Sequence, residues 1–334
     1  MSSPMVGPAA LRRSLPLLPL LLLGCVERVT EVQVPPPRPN IIVVMTDDQE
    51  LGSEVYMPRV MQDLAAAGTR FDNYFITTPL CCPSRASFFT GRYSHNHGVL
   101  NNTAVTGGGF ESFYGNGNEG RTIAVWLQGA GYATALVGKY LNQYPGSMPA
   151  RYIPPGWTDW RVALYGEKYY AYSLNENGMP VHYATDTADY QVDVLRRHAL
   201  EFIGQSHALG QPFFLVVTPM APHQPQTPAP RHVGMFAGMP APRTPNFDEA
   251  DVSDKVPPIR NLPPLHPIDI QMIDEEYASR LASLQSVDEM VGAMVDTLRR
   301  LGILDNTYIV YTSDNGYHLG SHRLTMGKQQ AFTE

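Results

Sequence analysis

The chain has 334 residues, of which 43% are hydrophobic and 16% are charged. This length and composition exclude a disordered protein and suit one large α/β domain or two smaller ones. The formal net charge of -7 and the absence of a Lys/Arg run in the sequence give no support for nucleic-acid binding, and three cysteines, two of them adjacent, cannot form a disulfide framework.

Residues 1–25 have the pattern of a signal peptide. Arg12 and Arg13 precede an apolar run, Leu15 to Leu23, that is too short to span a bilayer as a helix of the mature protein. We therefore expect an exported protein. In a bacterium it would be periplasmic or an outer-membrane lipoprotein, and in a eukaryote it would be secreted or lysosomal.

The segment from Leu22 to Cys25 resembles a bacterial lipobox, in which cleavage before the cysteine leaves it to be lipidated. The alternative is an ordinary secretory signal that contains an incidental cysteine. A lipid on Cys25 is the only membrane attachment that we expect. Residues 26–38 are rich in proline, which predicts a stiff linker between this segment and the folded domain.

Predicted strands alternate with predicted helices beyond the linker. In chain order, apolar runs and helical spacings predict a strand at 40–46, helices at 57–67, 83–90 and 121–127, a strand at 133–137, a helix at 187–203, a strand at 213–217, a helix at 275–301 and a strand at 308–312. The proline-loaded stretch 219–267 predicts a long irregular loop of the kind that shapes substrate pockets. The alternation is typical of a doubly wound α/β fold with its ligand site beyond the carboxyl ends of the strands.

Pairs of polar residues follow the first and the last predicted strand. Asp47 and Asp48 come after the first, and Asp314 and Asn315 come after the last. A paired aspartate alone is weak evidence, since helix caps and turns use aspartate freely. The two pairs can converge, however, and four hard oxygen side chains suit Ca²⁺ better than zinc or iron.

The stretch from Cys81 to Arg92 reads Cys-Cys-Pro-Ser-Arg-Ala-Ser-Phe-Phe-Thr-Gly-Arg. Pro83 suits the first turn of a helix that Gly91 would end. Cys81 would then lie at the helix N-terminus, where free N–H groups and the helix dipole favour an oxyanion or a bound sulfate. The alternative is a pair of buried, inert cysteines beside a turn.

This stretch resembles the sulfatase signature C-x-P-S-R-x-x-x-x-T-G-R. The resemblance implies an alkaline phosphatase-like fold and a sulfuric ester hydrolase. It also implies that a formylglycine-generating maturation enzyme oxidises Cys81 to formylglycine, whose hydrate attacks sulfate esters. Cys82 would stay a thiol. The metal site implied by the resemblance is a Ca²⁺ site formed by the formylglycine oxygen together with Asp47, Asp48, Asp314 and Asn315.

The resemblance also assigns the cations that would hold a sulfate group. They are Arg85, Lys139, His223 and Lys328. Taken singly, each is more often a solvated charge or a structural histidine, but together at strand ends they are better explained as one anion site. In the implied mechanism calcium and Arg85 polarise the aldehyde hydrate, and His223 or Lys328 protonates the departing sugar oxygen.

The local sequence departs from many sulfatases, which have Lys-Trp-His where this chain has Lys139-Tyr140-Leu141. It is instead similar to the branch of N-acetylglucosamine-6-sulfatases and heparan endosulfatases. The implied substrate is a sulfated carbohydrate with N-acetylglucosamine-6-sulfate units, such as a glycosaminoglycan. The remaining histidines of these motifs are either pocket residues or solvated loop residues: His95, His97, His318 and His322.

Residues 39–334 therefore predict a sulfatase N-terminal catalytic domain. Members of the family continue past the position of Lys328 into a smaller C-terminal subdomain, so we expect this domain to be truncated. Two alternatives remain open. One is a phosphate or phosphonate monoester hydrolase of the same superfold, and the other is a non-catalytic remnant that binds sulfated glycans.

Overall fold

A computed structural model describes residues 1–5, 7, 37–166 and 168–328. Most of the predicted signal peptide and linker lies outside these residues, including Cys25. The folded body is contained in a unit that begins at Arg38. Among the described residues, none of the helices combines the length and the apolar character that crossing a membrane requires.

A seven-stranded sheet forms the centre of this body. Its strands are β1 (Asn40–Thr46), β2 (Ala133–Gly138), β3 (Asp159–Ala163), β4 (Tyr172–Glu176), β5 (Met179–Tyr183), β6 (Phe213–Thr218) and β7 (Thr307–Ser313). The spatial order is β5-β4-β3-β2-β6-β1-β7. The five strands that are neighbours at one side of this order pair in parallel: β3, β2, β6, β1 and β7. In contrast, β4 runs antiparallel to both of its neighbours, β3 and β5. A small second sheet pairs β8 (His318–Leu319) with β9 (Met326–Gly327).

Helices cover both faces of the large sheet. The α-helices are α1 (Cys81–Thr90), α2 (Ser94–His97), α3 (Gly109–Gly115), α4 (Ile123–Gly129), α5 (Gln191–Ala208), α6 (Pro257–Arg260) and α7 (Pro267–Arg300). A π-helical segment lies at Val60–Ala65. Short 3-10 turns lie at Ser53–Tyr56, Ala104–Thr106, Glu119–Arg121, Thr187–Asp189, Pro230–His232 and Leu304–Asn306.

The core has a layer on each side of the sheet. Alternate residues of β1 point to opposite layers, so Ile42 packs with α5 and α7 residues while Val43 packs with α1 and α3 residues. Both layers exclude water from β1, which explains its continuous apolar run. The predicted doubly wound, mostly parallel α/β fold is confirmed.

Several element boundaries differ from the predicted ones. Helix α7 begins eight residues early, at Pro267, because His266 and Asp269 form a capping box there and proline suits the first turn. The predicted helix at 57–67 is helical, but most of it is the π-helical segment Val60–Ala65, and it follows the 3-10 turn at Ser53–Tyr56. At the start of the π-helical segment the N–H groups of Arg59 and Val60 donate to Asp288 of α7.

Candidate active site

The carboxyl ends of four adjacent parallel strands converge at one edge of the sheet. Asp47 follows β1, Lys139 follows β2, His223 follows β6 after four residues, and Asp314 follows β7. Helix α1 adds its N-terminal residue, Cys81, to the same place. The local reason for α1 is clear, since Gly91 adopts a left-handed conformation with φ of 65° and ends the helix.

Asp47 lies at the centre of a buried ionic cluster. Its Oδ2 atom is 2.6 Å from Lys139 Nζ and 3.7 Å from Arg85 Nη2. Burial alone would raise the pKa of Asp47, but the positive charges of Lys139, His223, Arg85 and Lys328 hold it well below its usual range. Asp47 is therefore an ionised carboxylate.

Arg85 connects α1 to two strand ends. Its Nε atom donates to Asp314 Oδ2 at 2.8 Å, and its Nη1 atom donates to the Lys139 carbonyl oxygen at 2.9 Å. Its Nη2 atom is buried and has no hydrogen-bond partner among the residues that the structure describes. This donor remains for a ligand.

Asp48 and Asn315 face each other across the ends of β1 and β7. Asn315 Nδ2 donates to Asp48 Oδ1 at 2.8 Å, and the Asp48 backbone N–H donates to Asp314 Oδ1 at 3.0 Å. Burial and the charge of Asp47 raise the pKa of Asp314 to about 6. Three buried carboxyl groups this close together are stable only with positive charge beside them, either from protein side chains or from a bound cation.

Cys81 is fully buried between these carboxylates and a lysine. Its Sγ atom is 3.4 Å from Asp47 Oδ1 and 3.6 Å from Asp48 Oδ1. Lys328 Nζ lies 2.7 Å from the same sulfur and also contacts Asp48. Burial and the charge of Asp47 raise the pKa of the Cys81 thiol well above its usual value, so the unmodified side chain is a neutral thiol.

His223 lies at the outer side of the cluster, with 28% of its side chain exposed. Its Nδ1 atom donates to the Gln224 carbonyl oxygen at 2.8 Å, and its Nε2 atom lies 3.6 Å from Asp48 Oδ2. The ring is therefore oriented with Nε2 toward the buried groups. A partly exposed side chain at this position can reach a ligand that enters from solvent.

The arrangement can hold a divalent cation. Ligand atoms of Asp47, Asp48, Cys81 and His223 all lie within 4.8 Å of one another. Asn315 supplies an independent observation, because its Oδ1 atom is buried and lacks a hydrogen-bond partner among the described residues. A buried amide oxygen without a donor beside several carboxylates fits an oxygen-ligated cation.

The other predicted histidines have different environments. His97 is buried, accepts from the Val99 N–H at 3.1 Å through Nδ1 and lies 3.0 Å from Ser87 Oγ through Nε2, so it is a structural residue. His95 is exposed and stacks on Tyr93. His322 pairs with Glu249 at 2.6 Å. His318 is buried in β8, opposite Gly327.

Sequence reasoning missed Arg280, which is fully buried in α7 and pairs with Glu50. A signal was present in the sequence. Arg280 follows Tyr277 by three residues and precedes Leu284 by four, so it lies on the apolar stripe of the helix rather than on its solvated face. A charged residue on such a stripe must have a buried partner.

Comparisons with known proteins show the family to which the chain belongs. The family model for sulfatases matches residues 39–334. The chain is 41% identical over 301 residues to the Extracellular sulfatase SULF-1 homolog of Drosophila melanogaster, which covers 88% of this chain and 26% of that protein. It is 35% identical over 322 residues to the N-acetylglucosamine-6-sulfatase of Homo sapiens, which covers 95% of this chain and 58% of the human protein.

A solved structure is also similar. It is that of BT4656 in complex with its substrate D-glucosamine-2-N,6-O-disulfate, with a TM-score of 0.65 and 25% identity, over 88% of this chain and 70% of that one. This chain thus spans 26% and 58% of the lengths of the two curated relatives.

Proposed function

Since this chain belongs to the sulfatase family, we propose that it hydrolyses the sulfate ester of a sulfated sugar through a formylglycine made from Cys81. The observation that carries the proposal is the position of Cys81 at the start of α1, which is the signature helix because it contains most of the sulfatase signature. The sulfur of Cys81 contacts Asp47, Asp48 and Lys328. An aldehyde hydrate at this position supplies one hydroxyl to attack sulfur and a second whose proton is lost when sulfate departs.

The charges of the site support a divalent cation and an anionic substrate together. Three carboxylates, Asp47, Asp48 and Asp314, face three permanent cations, Arg85, Lys139 and Lys328. A bound cation would therefore leave an excess of positive charge, which attracts a sulfate ester and stabilises negative charge on its oxygens.

We propose Ca²⁺ for this cation, because oxygen side chains dominate the proposed ligand set. Asp47, Asp48, Asp314, Asn315 and the oxygen of modified residue 81 would hold it. When bound at these residues, such an ion would act as a Lewis acid toward the sulfate group. The unpartnered Oδ1 atom of Asn315 supports this assignment.

The protein's own cations divide into two groups. Arg85 and Lys139 are buried and fix the carboxylates, and the free Arg85 Nη2 atom would also donate to a sulfate oxygen. His223 and Lys328 lie at the accessible side of the site. Either would protonate the departing sugar oxygen, and we favour His223 because its Nε2 atom faces the site while Nδ1 is held by Gln224.

An N-acetylglucosamine-6-sulfate unit of a glycosaminoglycan is the proposed substrate. The human relative is named an N-acetylglucosamine-6-sulfatase, and the solved structure named above holds a 6-O-sulfated glucosamine. We also propose that the protein is exported, because relatives carry the name extracellular sulfatase. The signal peptide at 1–25, the linker at 26–38 and lipidation of Cys25 remain predictions.

The test compares sulfate and phosphate esters of the same alcohol, using protein from a host that has a formylglycine-generating enzyme. We expect turnover of a glucosamine-6-sulfate and little turnover of the 6-phosphate. Cys81→Ala should lose activity by on the order of 10³-fold or more, whereas Cys82→Ala, the matched control, should keep it. A preference for phosphate would favour a phosphomonoester hydrolase, and binding of sulfated glycan without turnover would favour a non-catalytic remnant.

A further inference from the structure

Arg280 uses every nitrogen of its guanidinium group inside the protein. Its Nε atom donates to Glu50 Oε2 at 2.9 Å, and its Nη1 atom donates to the Pro222 carbonyl oxygen at 3.3 Å. Its Nη2 atom donates to the Asp48 carbonyl oxygen and to Glu50 Oε2. The guanidinium also lies over the ring of Tyr317, 4.1 Å from its centroid.

These partners belong to three loops that carry the candidate site. Asp48 and Glu50 follow β1, Pro222 immediately precedes His223, and Tyr317 follows Asn315 by two residues. A single side chain from the middle of α7 therefore holds the metal-site loop after β1, the His223 loop and the loop after β7. Every guanidinium nitrogen of the buried Arg280 side chain already has a protein acceptor, so we assign it no contact with the ligand.

The loop after β1 needs such support. Asp48 has a φ of 65°, in the left-handed region that a residue other than glycine adopts at a cost of about 1 kcal/mol or more. Its N–H is held by Asp314 and its carbonyl oxygen by Arg280. These two contacts hold the two peptide units that flank the Asp48 Cα atom, and they thereby fix the direction in which the Asp48 carboxylate points.

We propose that Arg280 is a positioning residue, which sets the Asp48 carboxylate and the His223 ring for cation binding and catalysis. The inference rests on the proposed function. It is specific to arginine, since a planar fork can donate to Glu50, Asp48 and Pro222 at once, whereas a lysine ammonium is a compact charge on a flexible stem. Buried contacts of this kind next to metal ligands commonly change metal affinity by 10–100-fold.

The experiment compares Arg280→Gln and Arg280→Lys with Asp288→Asn. Asp288 is a matched control because it is also buried on α7, about 12 Å further along the helix, and accepts from Arg59 and Val60 rather than from the site loops. Two quantities are measured: the Ca²⁺ concentration that half-maximally raises Tm, and kcat for the glucosamine-6-sulfate.

We expect both Arg280 variants to need about 10–100-fold more Ca²⁺ and to lose kcat, while Asp288→Asn loses Tm and keeps the Ca²⁺ midpoint. Folded Arg280 variants with unchanged midpoint and kcat would overturn the inference. If these variants do not fold, the same two measurements are made on Glu50→Gln, which removes the negative charge that pairs with Arg280 and leaves Arg280 in place. A shifted midpoint would support the inference, and wild-type values in both measurements would overturn it.

Measurements on the wild-type protein distinguish a failure of the proposed function from a failure of the role proposed for Arg280. A matured wild type with neither turnover nor a Ca²⁺-dependent rise in Tm would contradict the proposed function and the role of Arg280 together. An active, Ca²⁺-responsive wild type whose Arg280 variants behave like Asp288→Asn would contradict only the role of Arg280.

Discussion

Lys328 Nζ lies 2.7 Å from Cys81 Sγ, although 247 residues separate the two in the chain. The small sheet makes this contact possible, because β9 pairs with β8 and ends directly before Lys328. Gly327 has a φ of 146°, and a Cβ atom there would lie 3.7 Å from the His318 ring. The last described residue of the chain thus reaches the N-terminus of the signature helix.

Replacing Lys328 should therefore damage turnover more than folding. Lys328→Met is expected to lower kcat by about 10²-fold or more, because the charge beside the transferred group is lost. Lys255→Met is the control, since that ammonium is similarly half-buried but pairs with Asp254 and Glu249 rather than with residues of the site. Steady-state kinetics with the glucosamine-6-sulfate measures both variants, and equal kcat values for the two would show that Lys328 is not part of the reaction.

Much of the scaffold could be predicted from sequence because its signals are local. The continuous apolar run of β1 and the Gly91 stop of α1 each depend on neighbouring residues only, and both were correctly predicted. Strands β3, β4 and β5 were missed. They are five residues each, and β5 is largely exposed, so they lack both the length and the apolar pattern of a buried strand.

Tertiary contacts account for the other differences. The convergence of Asp47 with Lys139 follows from strand order, which a single sequence does not encode locally. The burial of Arg280 had a local signal, but its partners could not be predicted for the same reason. Glu50 and the Asp48 carbonyl oxygen lie more than 200 residues away in the chain, and the Pro222 carbonyl oxygen lies 58 residues away. The sequence motifs indicated the type of reaction, whereas the distances between the site residues depend on the fold.

Removal of the Asn315 amide should weaken cation binding. Asn315→Ala deletes the unpartnered oxygen, so we expect the Ca²⁺ concentration for half-maximal thermal stabilisation to rise about 10-fold or more. Asn306→Ala is the control, because that amide donates to the Arg38 carbonyl oxygen away from the site. A Ca²⁺ titration followed by Tm decides, and an unchanged midpoint for Asn315→Ala would remove this residue from the proposed ligand set.

The proposed acid role of His223 predicts a dependence on the leaving group. His223→Gln should lower kcat for the sugar sulfate by about 10²–10⁴-fold, since a sugar oxygen leaves poorly without a proton. It should lower kcat for an aryl sulfate with a nitrophenol leaving group much less. The exposed His95 supplies the control, His95→Gln. An equal loss of kcat for both substrates in His223→Gln would argue against proton donation.

His97 should make the protein sensitive to acid. Burial lowers the pKa of His97 to about 4, with a further contribution from the charge of Arg92, so the folded protein keeps a neutral ring. The unfolded chain takes up the proton near the usual value of about 6.5. Stability is therefore fully present above this pH and is lost as the pH falls from about 6.5 toward 4, by about 1–3 kcal/mol.

His97→Gln tests this pH dependence. The amide can keep neutral hydrogen bonds to Ser87 and Val99 without titrating. Urea unfolding at pH 7.5 and pH 5 should show a smaller difference in unfolding free energy for this variant than for the wild type or for His95→Gln. The same acid-dependent loss in all three proteins would contradict the assignment to His97.

The most direct measurement is a mass spectrum of the tryptic peptide Phe71 to Arg85, from protein made with an active formylglycine-generating enzyme and a known sulfatase as a positive control. We expect residue 81 to have lost its sulfur and to carry an aldehyde or its hydrate, with Cys82 unchanged. An intact Cys81 thiol alongside a correctly modified control would contradict the formylglycine mechanism.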